Sequence, residues 1–238
     1  MYGWRTRIGL ITPPDNLLIE PELYEVIPDG VSIHSTRLDT IDLEAMPRRA
    51  ESEADHYGTM GVDVIAYACN ISSFHEGPGG DEEIVARLED ASGLPATTAS
   101  TAMVRALEAL NVDSVSAVTP YNASDNESLR TFLEGNGVTV DAMEGLDLSA
   151  TDEEDVMEIS EETAHDTYNR VVRSYDSESD AVLVTATNLA CLETIETLEA
   201  DLGVPVVASN QAILWHSLSL GGVDPTVPSM GRLLASGD

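Results

Sequence analysis

The chain has 238 residues, of which 43 are acidic and 11 are basic, and its formal net charge at pH 7 is -32. A chain of this length can bury a sizeable core as one large domain or two lobes, and the hydrophobic fraction of 42% is ordinary for a globular protein. Nucleic acids and anionic membranes are excluded as expected partners, because binding to phosphate groups needs clustered lysine or arginine.

The acidic residues are spread along the sequence, and all eleven basic residues are arginine. A surface this charged repels itself at low ionic strength, whereas molar salt shortens the screening length to about 3 Å. The composition therefore predicts a halophilic, salt-adapted surface, with a cation-binding role as the alternative. No apolar run approaches the roughly 20 residues that span a bilayer, and no signal-peptide pattern is present. We expect a cytoplasmic protein with two free thiols.

Short apolar runs alternate with amphipathic stretches along the chain. Strands are predicted, in chain order, at Arg7–Thr12, Val31–Arg37, Val62–Ala68, Ser114–Thr119, Val138–Ala142, Ala181–Thr185 and Val204–Ala208. Helices are predicted near Glu44–Thr59, Asp81–Ala91, Ser100–Leu110, Ser124–Asn136, Glu153–Tyr175, Leu192–Leu202 and Gln211–Leu220. Strands that alternate with helices indicate βαβ units, so the predicted fold class is α/β with a mainly parallel sheet.

The sequence contains one half-domain pattern twice. Asp63 opens a buried strand that ends just before Cys69, and Asp180 opens a second strand that ends, at the same spacing, just before Ala186. Each copy then runs through a helix to a matching element, Gly93-Leu94-Pro95-Ala96 in the first and Gly203-Val204-Pro205-Val206 in the second. We therefore predict two similar Rossmann-like, doubly wound lobes related by a pseudo-twofold axis, with an active site in the cleft between them.

The expected N-terminal lobe comprises residues 1–113 plus 209–238, and the expected C-terminal lobe comprises residues 114–208. The last helix is expected to pack back on the first lobe. Trp4, Trp215 and the proline-rich tail leave open a homo-oligomer interface or simple packing in the core.

Candidate site residues cluster where the predicted strands end. In a doubly wound sheet these carboxyl ends form the ligand crevice. The residues predicted there are Asn16, Cys69, Asn70, Tyr121, Thr185, Ala186, Thr187, Asn188 and Asn210. Such hydroxyl, amide and phenol groups are donors for a carboxylate. Local structure offers alternatives: Asn16 as a turn residue, Tyr121 as a packing residue and Asn210 as part of a helix N-cap.

Cys69 is the candidate catalytic group, with Tyr121 as its partner. A thiol between a strand and a turn rich in backbone N–H groups has a stabilised thiolate, which predicts a low pKa. The alternative is a small buried hydrophobe. Cys191 is expected about one turn into the next helix, in a structural role. The acidic segment 148–162 is predicted to be a solvated loop and helix N-terminus, a metal site being the weaker alternative, and we expect neither metal nor cofactor.

These residues together resemble the maleate isomerase and arylmalonate decarboxylase branch of the aspartate/glutamate racemase superfamily. The resemblance covers nearly the whole chain. Its markers are Gly9-Leu10-Ile11-Thr12-Pro13 with Asn16 and Glu20, Ala68-Cys69-Asn70-Ile71-Ser72-Ser73-Phe74, Val118-Thr119-Pro120-Tyr121, and the stretch from Leu198 to Asn210 with Trp215. Racemases in this superfamily use two cysteines without metal or cofactor, so the resemblance assigns the first cysteine to Cys69, an amide to Asn16 and a phenol to Tyr121.

The chain departs from the two-cysteine pattern, because the second position is Ala186. A register that used Cys191 instead would break the spacing to Gly203-Val204-Pro205. Two one-thiol mechanisms remain open. In an isomerase of a small unsaturated dicarboxylate such as maleate, Cys69 adds to the alkene; in an arylmalonate-type decarboxylase, Cys69 protonates the product of decarboxylation. Asn16 and Asn70-Ile71 favour the isomerase. A non-catalytic carboxylate-binding protein is the third possibility.

Overall fold

The computed structural model describes residues 2–235 and contains two four-stranded parallel sheets in that range. The first sheet comprises β1 (Thr6–Thr12), β2 (Val31–Arg37), β3 (Val64–Tyr67) and β4 (Ala96–Thr98). The second comprises β5 (Ser114–Tyr121), β6 (Thr139–Leu148), β7 (Ala181–Val184) and β8 (Val206–Ala208). The predicted α/β class is confirmed.

Helices flank both sheets. They are α1 (Ile19–Val26), α2 (Met46–Met60), α3 (Asn70–Phe74), α4 (Gly80–Ser92), α5 (Ala99–Ala109), α6 (Ala123–Gly135), α7 (Glu153–Glu161), α8 (Ala164–Ser174), α9 (Ile195–Leu202) and α10 (Ser209–Leu220). Short 3₁₀ helices lie at Leu192–Thr194 and Arg232–Leu234.

The two sheets have the same strand order, β2-β1-β3-β4 and β6-β5-β7-β8. In each sheet the first strand is central, the second strand is added on one side of it, and the third and fourth strands are added on the other side. The connections therefore diverge between the two central strands, which opens a crevice at their carboxyl ends. The central strands are buried on both faces, as expected for parallel strands covered by helices. The predicted pair of similar, doubly wound lobes is confirmed, and each lobe has one such crevice.

The repeat extends to individual hydrogen bonds at the amino ends of the strands. The Asp63 carboxylate accepts from the Arg7 backbone N–H at 2.8 Å, and the Asp180 carboxylate accepts from the Ser114 backbone N–H at 3.1 Å. Each aspartate thereby ties the start of the third strand of its lobe to the start of the first. The repeated aspartates in the sequence therefore have a structural role.

A glutamate that accepts a hydrogen bond from a strand also recurs in both lobes. Glu89 in α4 accepts from the backbone N–H of Ala96 at 3.2 Å, and Glu199 in α9 accepts from that of Val206 at 3.0 Å. Each carboxylate anchors the start of the last strand, β4 or β8, to the preceding helix. The matching elements seen in the sequence are therefore anchored in the same way.

Several predicted elements differ from the observed ones. Helix α1 and strand β4 were not predicted as elements, and Cys191 directly precedes a 3₁₀ helix, so the expectation that it lies inside a helix is wrong. The predicted helix Glu153–Tyr175 is two helices. Thr163 begins the second helix, because its hydroxyl accepts from the Asp166 N–H while the Asp166 carboxylate accepts from the Thr163 N–H.

The last long helix crosses from one lobe to the other. Helix α10 follows β8 but packs against α5 and β4 of the first lobe, as predicted. The lobe boundaries at 113/114 and 208/209 stay a prediction, and residues 236–238 lie outside the described part. Within residues 2–235, no helix has the length and apolar character to cross a membrane.

Candidate active site

A cavity lies where the carboxyl ends of β1, β3, β5 and β7 meet, and its empty volume is about 470 Å³ when the part that opens to solvent is included. Seven of the nine predicted site residues line it: Asn16, Cys69, Asn70, Tyr121, Ala186, Thr187 and Asn188. Both lobes therefore contribute to one site, as the crevices of two facing doubly wound sheets require.

Cys69 joins β3 to α3 and is 5% exposed at the cavity wall. Both Cys69 and Cys191 are free thiols. Strand β3 ends at Tyr67, and Cys69 directly precedes α3, so the thiol lies where the chain leaves the sheet. Of the two cysteines, Cys69 is the one that faces the cavity.

The expected low pKa of Cys69 is wrong. Burial raises the pKa of the thiol, because the charged thiolate loses its hydration, and Asp15 in the cavity wall adds to the rise. The hydroxyl and backbone N–H of Ser72 and the hydroxyl of Tyr67 oppose this and lower the pKa. Cys69 is thus a thiol at neutral pH until binding or catalysis stabilises its anion.

Ala186 occupies the equivalent position in the second lobe and lines the same cavity. Its φ is 141°, a backbone conformation that residues with a Cβ rarely adopt. Its backbone N–H donates to the Ser209 hydroxyl at 3.2 Å, which holds the unusual conformation in place. A methyl side chain cannot carry a proton, so the cavity has one thiol where the sequence repeat provides two positions.

Tyr121 ends β5 and is 2% exposed, with its ring edge against Phe74. Burial raises the pKa of its phenol, and the neighbouring Cys69 raises it further, against a smaller lowering by Thr185. The phenol is therefore neutral at working pH and acts as a hydrogen-bond donor. Thr185 itself is fully buried outside the cavity lining.

Asn16 and Thr187 join the two lobes at the cavity. The Asn16 amide nitrogen donates to the Thr187 hydroxyl at 2.8 Å, and that hydroxyl donates to the Ala68 carbonyl at 3.2 Å. The Asn16 side-chain oxygen accepts from the backbone N–H groups of Leu18 and Ile19 at 3.0 Å each, which forms a turn that leads into α1. Asn16 is therefore a turn residue that also lines the cavity.

Asn70 and Asn188 add amide groups to the wall. The Asn70 nitrogen donates to the Met103 sulfur at 3.2 Å, and among the described residues its buried oxygen has no hydrogen-bond partner. A buried amide with spare capacity at a cavity wall is available to a ligand.

Asn210 does not line the cavity, which corrects its expected role in direct substrate binding. Its amide nitrogen donates to Glu22 at 2.7 Å and to the Thr187 carbonyl at 3.0 Å. Glu22 also accepts from the backbone N–H groups of Cys191 and Leu192 at 3.3 and 3.4 Å. Asn210 therefore holds the cavity loop in place from behind.

Glu22 and the apolar wall of the cavity were missed in the sequence. Burial raises the pKa of Glu22, against the hydrogen bond from Asn210, and Glu22 in turn adds to a rise that burial causes in the pKa of Cys191, to about 12. The apolar wall residues are Ile41, Leu43, Met46, Ile71, Ala150 and Val156. Most of them lie in segments that follow β2 and β6, where no periodic pattern marks a cavity.

The family model for arylmalonate decarboxylase matches residues 8–234. The chain belongs to the arylmalonate decarboxylase family. Two enzymes related to it are arylmalonate decarboxylase from Bordetella bronchiseptica, 31% identical over 95% of each chain, and maleate isomerase from Nocardia farcinica, 30% identical over 96% of this chain and 95% of the relative. The branch indicated by the sequence resemblance is thereby confirmed.

A solved structure from Nocardia farcinica is similar over nearly the full length of this family member. It is a cysteine-to-serine variant of maleate cis-trans isomerase with a covalently bound succinylcysteine intermediate. The sequence identity is 28%, the TM-score is 0.86, and the match covers 98% of this chain and 99% of that one.

Within residues 2–235, the structure contains no group of three or more His, Cys, Asp or Glu side chains that could hold a metal ion.

Proposed function

We propose that this chain is a cofactor-independent cis-trans isomerase of a small unsaturated dicarboxylate, maleate or a close analogue, with Cys69 as its nucleophile. The observation that carries the proposal is a single thiol, Cys69, in a cavity that both lobes line, with Ala186 at the equivalent place in the second lobe. The Nocardia farcinica variant, which lacks one cysteine and yet holds a succinylcysteine, supports chemistry at one sulfur.

One thiolate is sufficient for this reaction. The Cys69 thiolate forms a bond to one alkene carbon, and the π electron pair moves to the neighbouring carbon and its carboxylate. The former double bond is now single and rotates. The electron pair then returns, the carbon–sulfur bond breaks, and the trans isomer leaves with the thiolate restored. The cycle consumes no proton, so the missing thiol at Ala186 does not prevent it.

Neutral donors in the cavity wall support the developing charge. The Tyr121 phenol and the amides of Asn70 and Asn188 line the cavity beside Cys69. Donors held in place by the fold stabilise an enediolate more than water does, because they need no reorganisation during the reaction. Asn16 and Thr187 complete the proposed substrate-binding set, Ala186 forms its wall, and Thr185 and Asn210 support it from outside the cavity.

Decarboxylation of an arylmalonate is the second candidate, and one observation favours it. The raised pKa of Cys69 keeps a proton on the sulfur, which suits a donor to the carbanion formed when carbon dioxide leaves. The relative from Bordetella bronchiseptica supports the same reading. Asn70-Ile71 after the cysteine, together with Asn16, leads us to prefer isomerisation. A non-catalytic carboxylate-binding protein would gain thermal stability from a dicarboxylate without converting it.

Trapping the adduct tests the proposal. The protein in molar KCl is mixed with maleate, quenched in acid and digested, and the peptides are analysed by mass spectrometry. We expect a succinyl group on the peptide that contains Cys69, both in the wild type and in Cys191→Ser, and none in Cys69→Ser. An adduct confined to Cys191 would contradict the assignment.

The charge supports a protein that works in the cytoplasm of an organism with molar internal salt. With a net charge of -32, screening by salt should stabilise the fold, so the melting temperature should rise steeply between about 0.1 and 1 M KCl. Trp4, which is 63% exposed, supports a homo-oligomer, which light scattering would detect.

A further inference from the structure

Two buried hydroxyl groups lie on either side of Cys69 in the chain, outside the cavity lining. The Tyr67 hydroxyl and the Ser72 hydroxyl are hydrogen-bonded to each other. Tyr67 is 0% exposed and Ser72 is 1% exposed, and neither is part of the cavity lining. We call Tyr67 and Ser72 the hydroxyl pair.

The local fold brings the hydroxyl pair to the sulfur from two directions. Tyr67 is two residues before Cys69 on an extended segment, so both side chains point to the same face of the sheet. Ser72 is the third residue of α3, and Cys69 directly precedes that helix. The N–H of the third helical residue and the side chain of the capping residue face each other at a helix start.

The partner of the Ser72 hydroxyl is unusual for a serine in a helix. Such hydroxyls commonly bond to a backbone carbonyl one turn earlier. Ser73 does so, because its hydroxyl donates to the carbonyls of Cys69 and Asn70 at 2.7 and 2.8 Å. The Ser72 hydroxyl is bonded instead to the Tyr67 phenol.

Burial of a phenol costs free energy unless its hydroxyl group has a hydrogen-bond partner. Two hydroxyls that bond to each other use one proton between them, which leaves the second proton for a third group. Cys69 is that group: both hydroxyls and the Ser72 backbone N–H lower the pKa of its thiol, against burial and Asp15. The hydrogen bond between the two hydroxyls and the positions of Tyr67 and Ser72 on either side of Cys69 in the chain place the hydroxyl pair near the sulfur.

We propose that Tyr67 and Ser72 are positioning residues that orient the Cys69 side chain toward the cavity and stabilise its thiolate form when the thiol loses its proton. The proposal rests on the proposed function, in which that thiolate is the nucleophile. Tyr67 donates to Ser72, Ser72 donates to the sulfur, and a chain of this kind strengthens the donor at its end. The proton lost from the thiol passes to solvent.

The test measures the ionisation of Cys69 without any substrate. Cys191→Ser serves as the background, so that Cys69 is the sole thiol, and iodoacetamide alkylates it across a range of pH in molar KCl. The sulfur–carbon bond forms as iodide leaves, and only the thiolate reacts. We expect Tyr67→Phe and Ser72→Ala each to move the apparent pKa of alkylation upward by about 0.5–1 unit, or three- to tenfold less thiolate at fixed pH. Ser72→Thr, which keeps the hydroxyl, should restore the wild-type profile.

Two matched variants remove buried hydroxyls of the same kinds elsewhere. Ser73→Ala deletes the neighbouring serine hydroxyl in α3, and Tyr57→Phe deletes a phenol bonded to the carbonyls of Leu10 and His34. We expect both to lower the melting temperature and to leave the alkylation pKa unchanged. If Tyr67→Phe and Ser72→Ala move the pKa no more than these controls, the hydroxyl pair has no positioning role.

The outcome is separable from that of the proposed function. A wild-type protein that converts maleate, together with unshifted variants, would overturn the role of the hydroxyl pair alone. A wild-type protein that converts no maleate, together with upward shifts in Tyr67→Phe and Ser72→Ala, would support the hydroxyl pair and overturn the isomerase.

Discussion

The carboxyl ends of β3 and β7 are equivalent in topology and different in chemistry. After β3, Cys69 leads directly into α3, and the helix start brings Ser72 back to the sulfur. After β7, Ala186 has a φ of 141°, and the chain runs without helix to Leu192. The two equivalent strand ends therefore meet at one cavity, to which the first contributes a thiol and the second a methyl group.

The two strand ends also differ in what holds them. At the first, the Thr187 hydroxyl of the other lobe donates to the Ala68 carbonyl, and the Ser73 hydroxyl, from the same lobe, donates to the Cys69 carbonyl. The second is held across the lobes, since Asn210 donates to the Thr187 carbonyl and to Glu22. The second lobe thus supplies a shaped wall whose position depends on the first. Residues of both lobes line the cavity, and Cys69 of the first lobe is the one thiol among the lining residues.

Removal of the Cys69 thiol is the most direct test of the chemical difference between the two strand ends. We expect Cys69→Ser to lower kcat for maleate by at least about a thousandfold, because a serine hydroxyl at neutral pH is a far weaker nucleophile. Cys191→Ser should stay within about twofold of the wild type. Activity lost in Cys191→Ser but kept in Cys69→Ser would reverse the roles of the two lobes.

The pH dependence of the rate separates the two one-thiol mechanisms. The pKa of Cys69 is raised, so the thiolate is the minor form at neutral pH. For isomerisation, kcat/KM should rise about tenfold per pH unit up to that pKa and then level off. A decarboxylase that uses the thiol as its proton donor would instead lose activity as the pH rises through the same pKa. Initial rates across pH at constant molar KCl decide between them.

The contact between the lobes can be broken at Glu22. Glu22→Ala leaves the Asn210 amide and the backbone N–H groups of Cys191 and Leu192 without their acceptor. We expect a loss of about 2–4 kcal/mol in the free energy of unfolding, measured by denaturant titration in molar KCl.

The matched control for that loss is an exposed carboxylate. Asp39 lies 3.4 Å from Arg49 in an ion pair whose two side chains are both well exposed. Asp39→Ala should change the free energy of unfolding by no more than about 0.5 kcal/mol. An equal effect of Glu22→Ala and Asp39→Ala would mean that Glu22 does not hold the second strand end.

The smallest expected effect is that of Ala186→Gly, which tests whether the backbone of the second strand end is strained. Ala186→Gly removes the Cβ from a conformation that glycine tolerates, so the free energy of unfolding should rise by up to about 1 kcal/mol after the entropy of the unfolded glycine is deducted. Ala181→Gly in buried β7 should lower it instead. If Ala186→Gly destabilises as much as Ala181→Gly, the conformation is not strained.

The strands other than β4 and the position of the cavity could be predicted, because apolar runs bounded by turns mark buried parallel strands and their ends define the crevice. Helix α1 could not be predicted, because Pro21 lies in its first turn. In addition, the sequence left open whether Asn16 is a turn residue or a donor to a carboxylate. Glu22 gave no local signal, because its partners lie more than 160 residues away. The prediction of a low pKa for Cys69 was wrong because the sequence of the turn indicates hydrogen-bond donors to the sulfur but not how deeply the sulfur is buried. Burial depends on the whole fold, and it raises the pKa.

The central claim is tested most directly by proton NMR of the purified protein in molar KCl and D₂O, with maleate and, separately, phenylmalonate. The account predicts that fumarate appears from maleate without incorporation of deuterium, since the cycle at Cys69 needs no proton. Deuterated phenylacetate from phenylmalonate, with maleate unchanged, would contradict it and make Cys69 a proton donor.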